Sequence, residues 1–192
     1  MPYYVLRAAQ FLLLMGAVVL STTVLDKLKI VQKHKFIKFI PVVLTLILFF
    51  VPFEEMLTFS SKEAAFSGTV LGTPIAEAEQ EESFGVFYKD KRDRYYVAFY
   101  TMENGRYRKC GDDDLEKPYS ENADGISTEI FCLNETSERY LFVWTSGEVL
   151  SVSDESGNVF ETQREKSATF ILAPLSASCD TLTVNGVQWA LS

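Results

Sequence analysis

Two apolar runs near the N-terminus constrain this chain more than any other feature. Residues 8–25 carry no charge and centre on FLLLMGAVVL, and residues 36–53 carry only Lys38. A helix needs roughly 20 mostly apolar residues to cross a bilayer, where the backbone must satisfy its own hydrogen bonds. Both runs are just long enough, and together they predict a transmembrane helical hairpin over residues 1–53. Arg7 and Lys38 lie close enough to the ends to snorkel to the head groups. Pro41 falls in the first turns of the second helix, where a missing amide costs least. A cleaved signal peptide competes for the first run, but MPYYVLR is weakly basic and no A-x-A-like site follows it. A buried helix of a soluble protein is the other alternative.

The segment between the runs holds Lys27, Lys29, Lys33 and Lys35, with Lys38 just beyond. The positive-inside rule keeps so basic a short loop, residues 26–35, in the cytoplasm. The expectation is a multi-pass plasma-membrane protein whose N-terminus and C-terminal domain are both extracytoplasmic. The lipid bilayer is then its first partner. The lone histidine, His34, reads as a solvated loop residue. Ala17 and Ser21 form a small-xxx-small pair that would let helices approach.

Charge divides the chain at the same place. Residues 54–192 hold 12 Lys/Arg against 25 Asp/Glu, a net of −13, whereas the N-terminal part is basic. An acidic domain argues against nucleic acid as a partner, because phosphate neutralisation needs a basic face. Its 139 residues suffice for one domain with its own core.

Within that domain the hydrophobic period shifts towards two. Ser60 three residues ahead of Glu63 predicts one short capped helix, and residues 73–83 read as a loop or a frayed helix. Residues 84–89 and 94–100 flank a first hairpin turn, and residues 127–133 and 139–145 a second. Residues 149–153 and 159–163 flank a third, residues 111–125 read as a long acidic loop, and Asn185-Gly186 is the strongest turn signal of all. The fold class expected is membrane-anchored α+β: the helical hairpin, then a mainly antiparallel β domain, a sandwich or a partly open barrel.

Candidate sites follow from residue type. Alternation sets Tyr96 and Tyr100 on one strand face and Tyr140 with Trp144 on another. They read either as an aromatic platform for a sugar or peptide or as core. Asp112, Asp113, Asp114 and Glu116 form a carboxylate run that would suit calcium or would simply be solvated. Cys110 and Cys132, on neighbouring strands, are the pair chosen for a disulfide, with Cys179 left over; three free thiols are the alternative. Asn134-Glu135-Thr136 is a glycosylation sequon in a turn. The absence of histidine from residues 54–192 excludes a Ser-His-Asp triad and any His-ligated zinc there. No catalytic residue stands out and no cofactor is called for. The leading reading is a binding module for an envelope protein, peptide or wall component. The alternatives are a carboxylate-dependent cell-envelope hydrolase and a structural accessory subunit of a membrane complex.

The run PFEEMLTFSSKEAAF, residues 52–66, and the ending TLTVNGVQWALS resemble uncharacterised small membrane-anchored proteins of Gram-positive bacteria (Firmicutes-like). The resemblance implies a bacterial plasma-membrane protein with its domain outside. It carries no activity and no site residues.

Overall fold

Strand alternation sorts the side chains of the C-terminal domain onto the faces of three stacked sheets. The computed structural model describes residues 3–27, 36, 39–49, 53–123, 125–147 and 150–191. Helix α1 (Tyr3–Lys27) and helix α2 (Ile40–Phe49) precede a short helical turn, Phe53–Met56. The domain then runs β1 (Thr58–Phe59), α3 (Lys62–Thr69), β2 (Gly72–Glu79), β3 (Ser83–Asp90), β4 (Tyr95–Glu103) and β5 (Arg106–Lys109). After these come β6 (Leu115–Ala123), β7 (Ile126–Leu133), β8 (Arg139–Thr145), β9 (Val152–Asp154) and β10 (Gln163–Glu165). Strands β11 (Ala168–Leu175), β12 (Thr181–Val184) and β13 (Val187–Ala190) complete it.

The first sheet has the order β1-β5-β4-β3-β2, the middle sheet β10-β11-β8-β7-β6 and the third β13-β12-β9. All described pairings are antiparallel. Helix α3 covers one face of the first sheet, where Ala65 and Phe66 pack on Phe84, Val86, Ala98 and Tyr100. The opposite face, with Phe87 and Phe99, meets Phe131, Tyr140, Phe170 and Leu172 of the middle sheet. The far side of the middle sheet, with Ile130, Leu141, Val143 and Ile171, meets Leu182 and Val184 of the third. The middle sheet is thus covered on both faces, which explains the near-continuous apolar runs of β8 and β11.

Two expectations about the N-terminal region and the sheets are corrected. Among the described residues one helix, α1, is long and apolar enough to cross a membrane. Helix α2 has ten residues, about 15 Å of rise against a hydrocarbon core of about 30 Å. Pro41 at its second position sets its start, as proline favours the first turn of a helix. Among the described residues the expected two-span hairpin, and with it the multi-pass plasma-membrane topology, is therefore not found. Residues 37–38 and 50–52 of the expected second span, and 28–35 of the basic loop, lie outside the described residues. The expected sandwich or partly open barrel is likewise replaced, among the described residues, by three open sheets, none closed on itself.

Smaller corrections have local causes. The expected loop at 73–83 is largely strand β2, because Ala76 and Ala78 turn inward while Glu77 and Glu79 stay outside. Most of the expected acidic loop is strand β6, drawn into register by β7, with an irregularity between Glu116 and Tyr119. The third expected hairpin reduces to one bridge, Ser153 to Val159, because β9 pairs with β12. The cap of α3 is Ser61 rather than Ser60; its side chain accepts from the amide of Ala64 at 3.2 Å.

Helix α1 leaves nearly all of its surface uncovered, with Gln10 its one buried residue among those described. Gln10 Nε2 donates to the carbonyl of Leu48 at 3.3 Å, which sets the start of α1 beside the end of α2. The same end of α1 rests on the β domain. Lys91 Nζ bonds Tyr4 Oη and stands 4.5 Å from the centre of its ring.

Candidate functional site

An edge left open in the first sheet creates the principal cleft. Strand β5 pairs with β4 only from Tyr100 to Glu103. The last bond of that ladder runs from the amide of Cys110 to the carbonyl of Phe99 at 2.9 Å. The chain then turns away through Gly111 into the short helical turn Asp112–Asp114. Backbone groups alternate sides along a strand, so Val97 points its N–H and C=O the same way as Phe99, where no strand follows.

Beside that edge lies a cleft of about 600 Å³ between the first and middle sheets. Its aromatic wall is built from Phe87, Tyr95, Phe131, Phe142 and Trp144. Tyr95 lies 5.0 Å from Trp144 and 5.6 Å from Phe87, centre to centre. Phe87 lies 5.2 Å from Phe142 and 5.7 Å from Trp144, so these four rings form one connected set, while Phe131 packs on Phe99 at 4.8 Å. Such pairs contribute about 0.5–1.5 kcal/mol each beyond their buried area. Polar groups gather at the mouth, where Lys117 Nζ lies 3.2 Å from Glu129 Oε2 and 4.8 Å from the centre of the Phe131 ring. Ser127 and Asp112 border the same opening.

The four aromatic residues expected to share a platform are divided by the sheet. Tyr100 is buried under α3, stacked on Phe84 at 4.6 Å. Burial pushes its phenol well above the usual tyrosine range. Tyr140 is buried between the first and middle sheets, 2.7 Å from Ser83 Oγ. Burial pushes its phenol up to about 12. Tyr96 is 39 % exposed and, with Trp144, borders the cleft. Of the four, only Trp144 turns its ring into the cleft wall; the Tyr96 ring lies on the opposite face of β4, stacked on Tyr88 at 5.7 Å, and Tyr100 and Tyr140 are core.

The carboxylate run is engaged locally. Asp114 accepts from Arg108 Nη1 at 2.9 Å and from the amide of Gly111 at 2.8 Å. Arg108 also bonds Glu135 at 2.7 Å. Asp112 and Asp113 are helical-turn residues beside them, and Glu116 sits in β6 opposite Cys132. Among the described residues no three His, Cys, Asp or Glu side chains gather around a position that could hold a metal ion.

All three cysteines are free, so the expected Cys110–Cys132 disulfide is corrected. Cys110 packs with Phe131 and Leu133, the neighbours of Cys132 on either side. Alternation therefore turns Cys132 to the opposite face of β7. Burial, followed by the nearby Asp114 carboxylate, pushes the Cys110 thiol up to about 12. Cys179 sits in the core of the third sheet, its thiol raised by burial.

Several residues of the cleft were not singled out from sequence. Tyr95 and Phe142 carry the aromatic signal but are flanked by equally aromatic core positions. Lys117, Ser127 and Glu129 fall on strands whose pairing, not composition, brings them to the opening.

Comparison with protein-family models, with curated proteins and with solved structures gives no match. Among the described residues the chain has one N-terminal helix long and apolar enough to cross a membrane, and a β-rich domain of open sheets.

Proposed function

We propose that this protein is a membrane-anchored binding module: α1 holds it in a bilayer, and the cleft beside β4 receives an extended segment of a partner polypeptide. The observation that carries this reading is the open edge at Val97 lying directly beside the aromatic wall. An added strand would continue the ladder that stops at Phe99, which supplies main-chain hydrogen bonds whatever the partner's sequence. Every second side chain of that strand would enter the cleft and meet Phe142 and Trp144, giving a preference for large apolar residues. The Lys117–Glu129 pair at the mouth would read the polar positions between. The anchor is supported by the length of α1 and by the exposure of Leu12, Leu13, Val19 and Leu20, apolar side chains that water solvates poorly.

The test is selection of random twelve-residue peptides on the full chain, followed by amide chemical-shift mapping with the recovered sequences. Peptides with large apolar residues at alternate positions that shift Tyr95, Val97 and the Trp144 indole support the reading. Val97→Pro removes the outward donor without touching the ladder to β3 and should abolish their binding. Recovered peptides that shift only residues remote from β4 would overturn it.

A further inference from the structure

An acidic domain that concentrates its few cations beside the anchoring helix presents a second feature. Lys91, Arg92, Arg94 and Lys109, four of the 12 cations in residues 54–192, line one hollow of about 460 Å³. Tyr3 at the start of α1 lines it too. The turn between β3 and β4 is fixed by Asp90, whose carboxylate accepts the amides of Arg92 and Arg94 at 2.7 and 2.9 Å. The same carboxylate binds the Arg94 guanidinium at 2.8 Å. Asp93 faces away, towards Lys89 and Lys166 at 3.3 and 3.6 Å. Both nearby acids are therefore engaged. Among the described residues Lys91, Arg92 and Lys109 form no ion pair with a carboxylate.

The position of this hollow decides what it would meet. Lys91 touches Tyr4 in the first turn of α1, and the exposed apolar surface of the helix begins within two turns of it. With α1 in a bilayer, the hollow lies at the level of the head groups, and tyrosines at that depth suit the interface. We infer that Lys91, Arg92 and Lys109 bind the phosphates of anionic glycerophospholipid head groups and so hold the domain against the membrane. The inference rests on the anchoring role of α1. Clustered unpaired cations next to a span are attracted to an anionic leaflet, and the attraction weakens with salt.

The experiment compares full-length protein in nanodiscs of phosphatidylcholine alone and of phosphatidylcholine with added phosphatidylglycerol. Acylation rates of individual lysines are read by mass spectrometry. Lys91 and Lys109 should react roughly tenfold more slowly in the anionic discs, while Lys117 in the cleft mouth keeps its rate. High salt should restore both rates, and Arg92→Gln should weaken the protection of Lys109. Equal rates in the two discs would overturn the inference. Protection by inorganic phosphate in neutral discs, as strong as that by anionic lipid, would also overturn it, since the site would then be a general phosphate site. Amide exchange of α1 in neutral discs reports separately on the anchor: free exchange there removes the anchoring role, and this inference with it.

Discussion

The hydroxyls of Thr69 and Tyr100 meet 3.0 Å apart in the layer between α3 and the first sheet. Thr69 gives its proton to the carbonyl of Ala65 at 2.7 Å, so it is the Tyr100 hydroxyl that donates to Thr69. The direction makes the two partners unequal. Thr69→Val leaves a buried phenol with no acceptor and should cost about 1–3 kcal/mol, whereas Tyr100→Phe removes the donor itself and should cost about 1 kcal/mol. Urea denaturation of both variants and of the double variant checks this. The double should lie near Tyr100→Phe alone rather than at the sum.

Gly85 leaves room for the ring of Phe99, its cross-strand partner in the first sheet. A Cβ added there would stand 2.8 Å from Cε1 of Phe99, a ring enclosed by Phe131 and Tyr140. Gly85→Ala should therefore destabilise the domain by about 1–3 kcal/mol through overpacking. Phe99→Leu, combined with it, should recover part of that loss in thermal unfolding.

The cysteines should react in a set order. Cys132 is half-buried, while Cys110 and Cys179 are buried, and the Cys110 thiol, with a pKa near 12, is un-ionised at neutral pH. A maleimide should label Cys132 first in the native protein, and Cys110 and Cys179 only on unfolding. Electrophoresis with and without reductant should give one mobility.

The turn after β9 should carry a pH signature. Asp154 has its carboxyl held below 3.8, first by the Asn158 side chain and then, against desolvation, by the amides of Asn158, Ser156 and Gly157. The folded state thus favours the ionised form. Its stabilising effect is present above the unfolded value of about 3.9 and is lost as pH falls through the lower folded value. Asp154→Ala should be less stable than the parent at neutral pH, and the gap should close as pH falls below the unfolded value of about 3.9. Denaturation series from neutral pH to below that value will show it.

What could be read from sequence was what depends on neighbours along the chain. Alternation placed Tyr95, Val97 and Phe99 opposite Tyr96, Ala98 and Tyr100, and the two faces of β4 do enter different cores. The turns at 90–94, 134–138 and 185–186 were likewise local, as Asp90, Ser137 and Gly186 carry them. Pairing between distant strands left no such trace. Ala76 and Ala78 looked like a loop because a strand of small and acidic residues acquires its meaning only from β3. The cleft was hidden for a related reason: it exists because β5 stops at Lys109, and an unpaired edge has no composition of its own. Apolar run length overestimated the second helix because it counts hydrophobicity alone, while Pro41 restricts where a helix can begin.

Strand β8 gives Tyr140, Phe142 and Trp144 to one core and Leu141 and Val143 to the other. No cut through the domain can separate the two interiors without dismantling that strand. The chain's two tryptophans stand one on each side, Trp144 beside Phe87 and Trp189, from β13, against the core between the middle and third sheets. Folding of the domain should consequently be cooperative across all its layers, with both indoles losing their native fluorescence in a single shared transition.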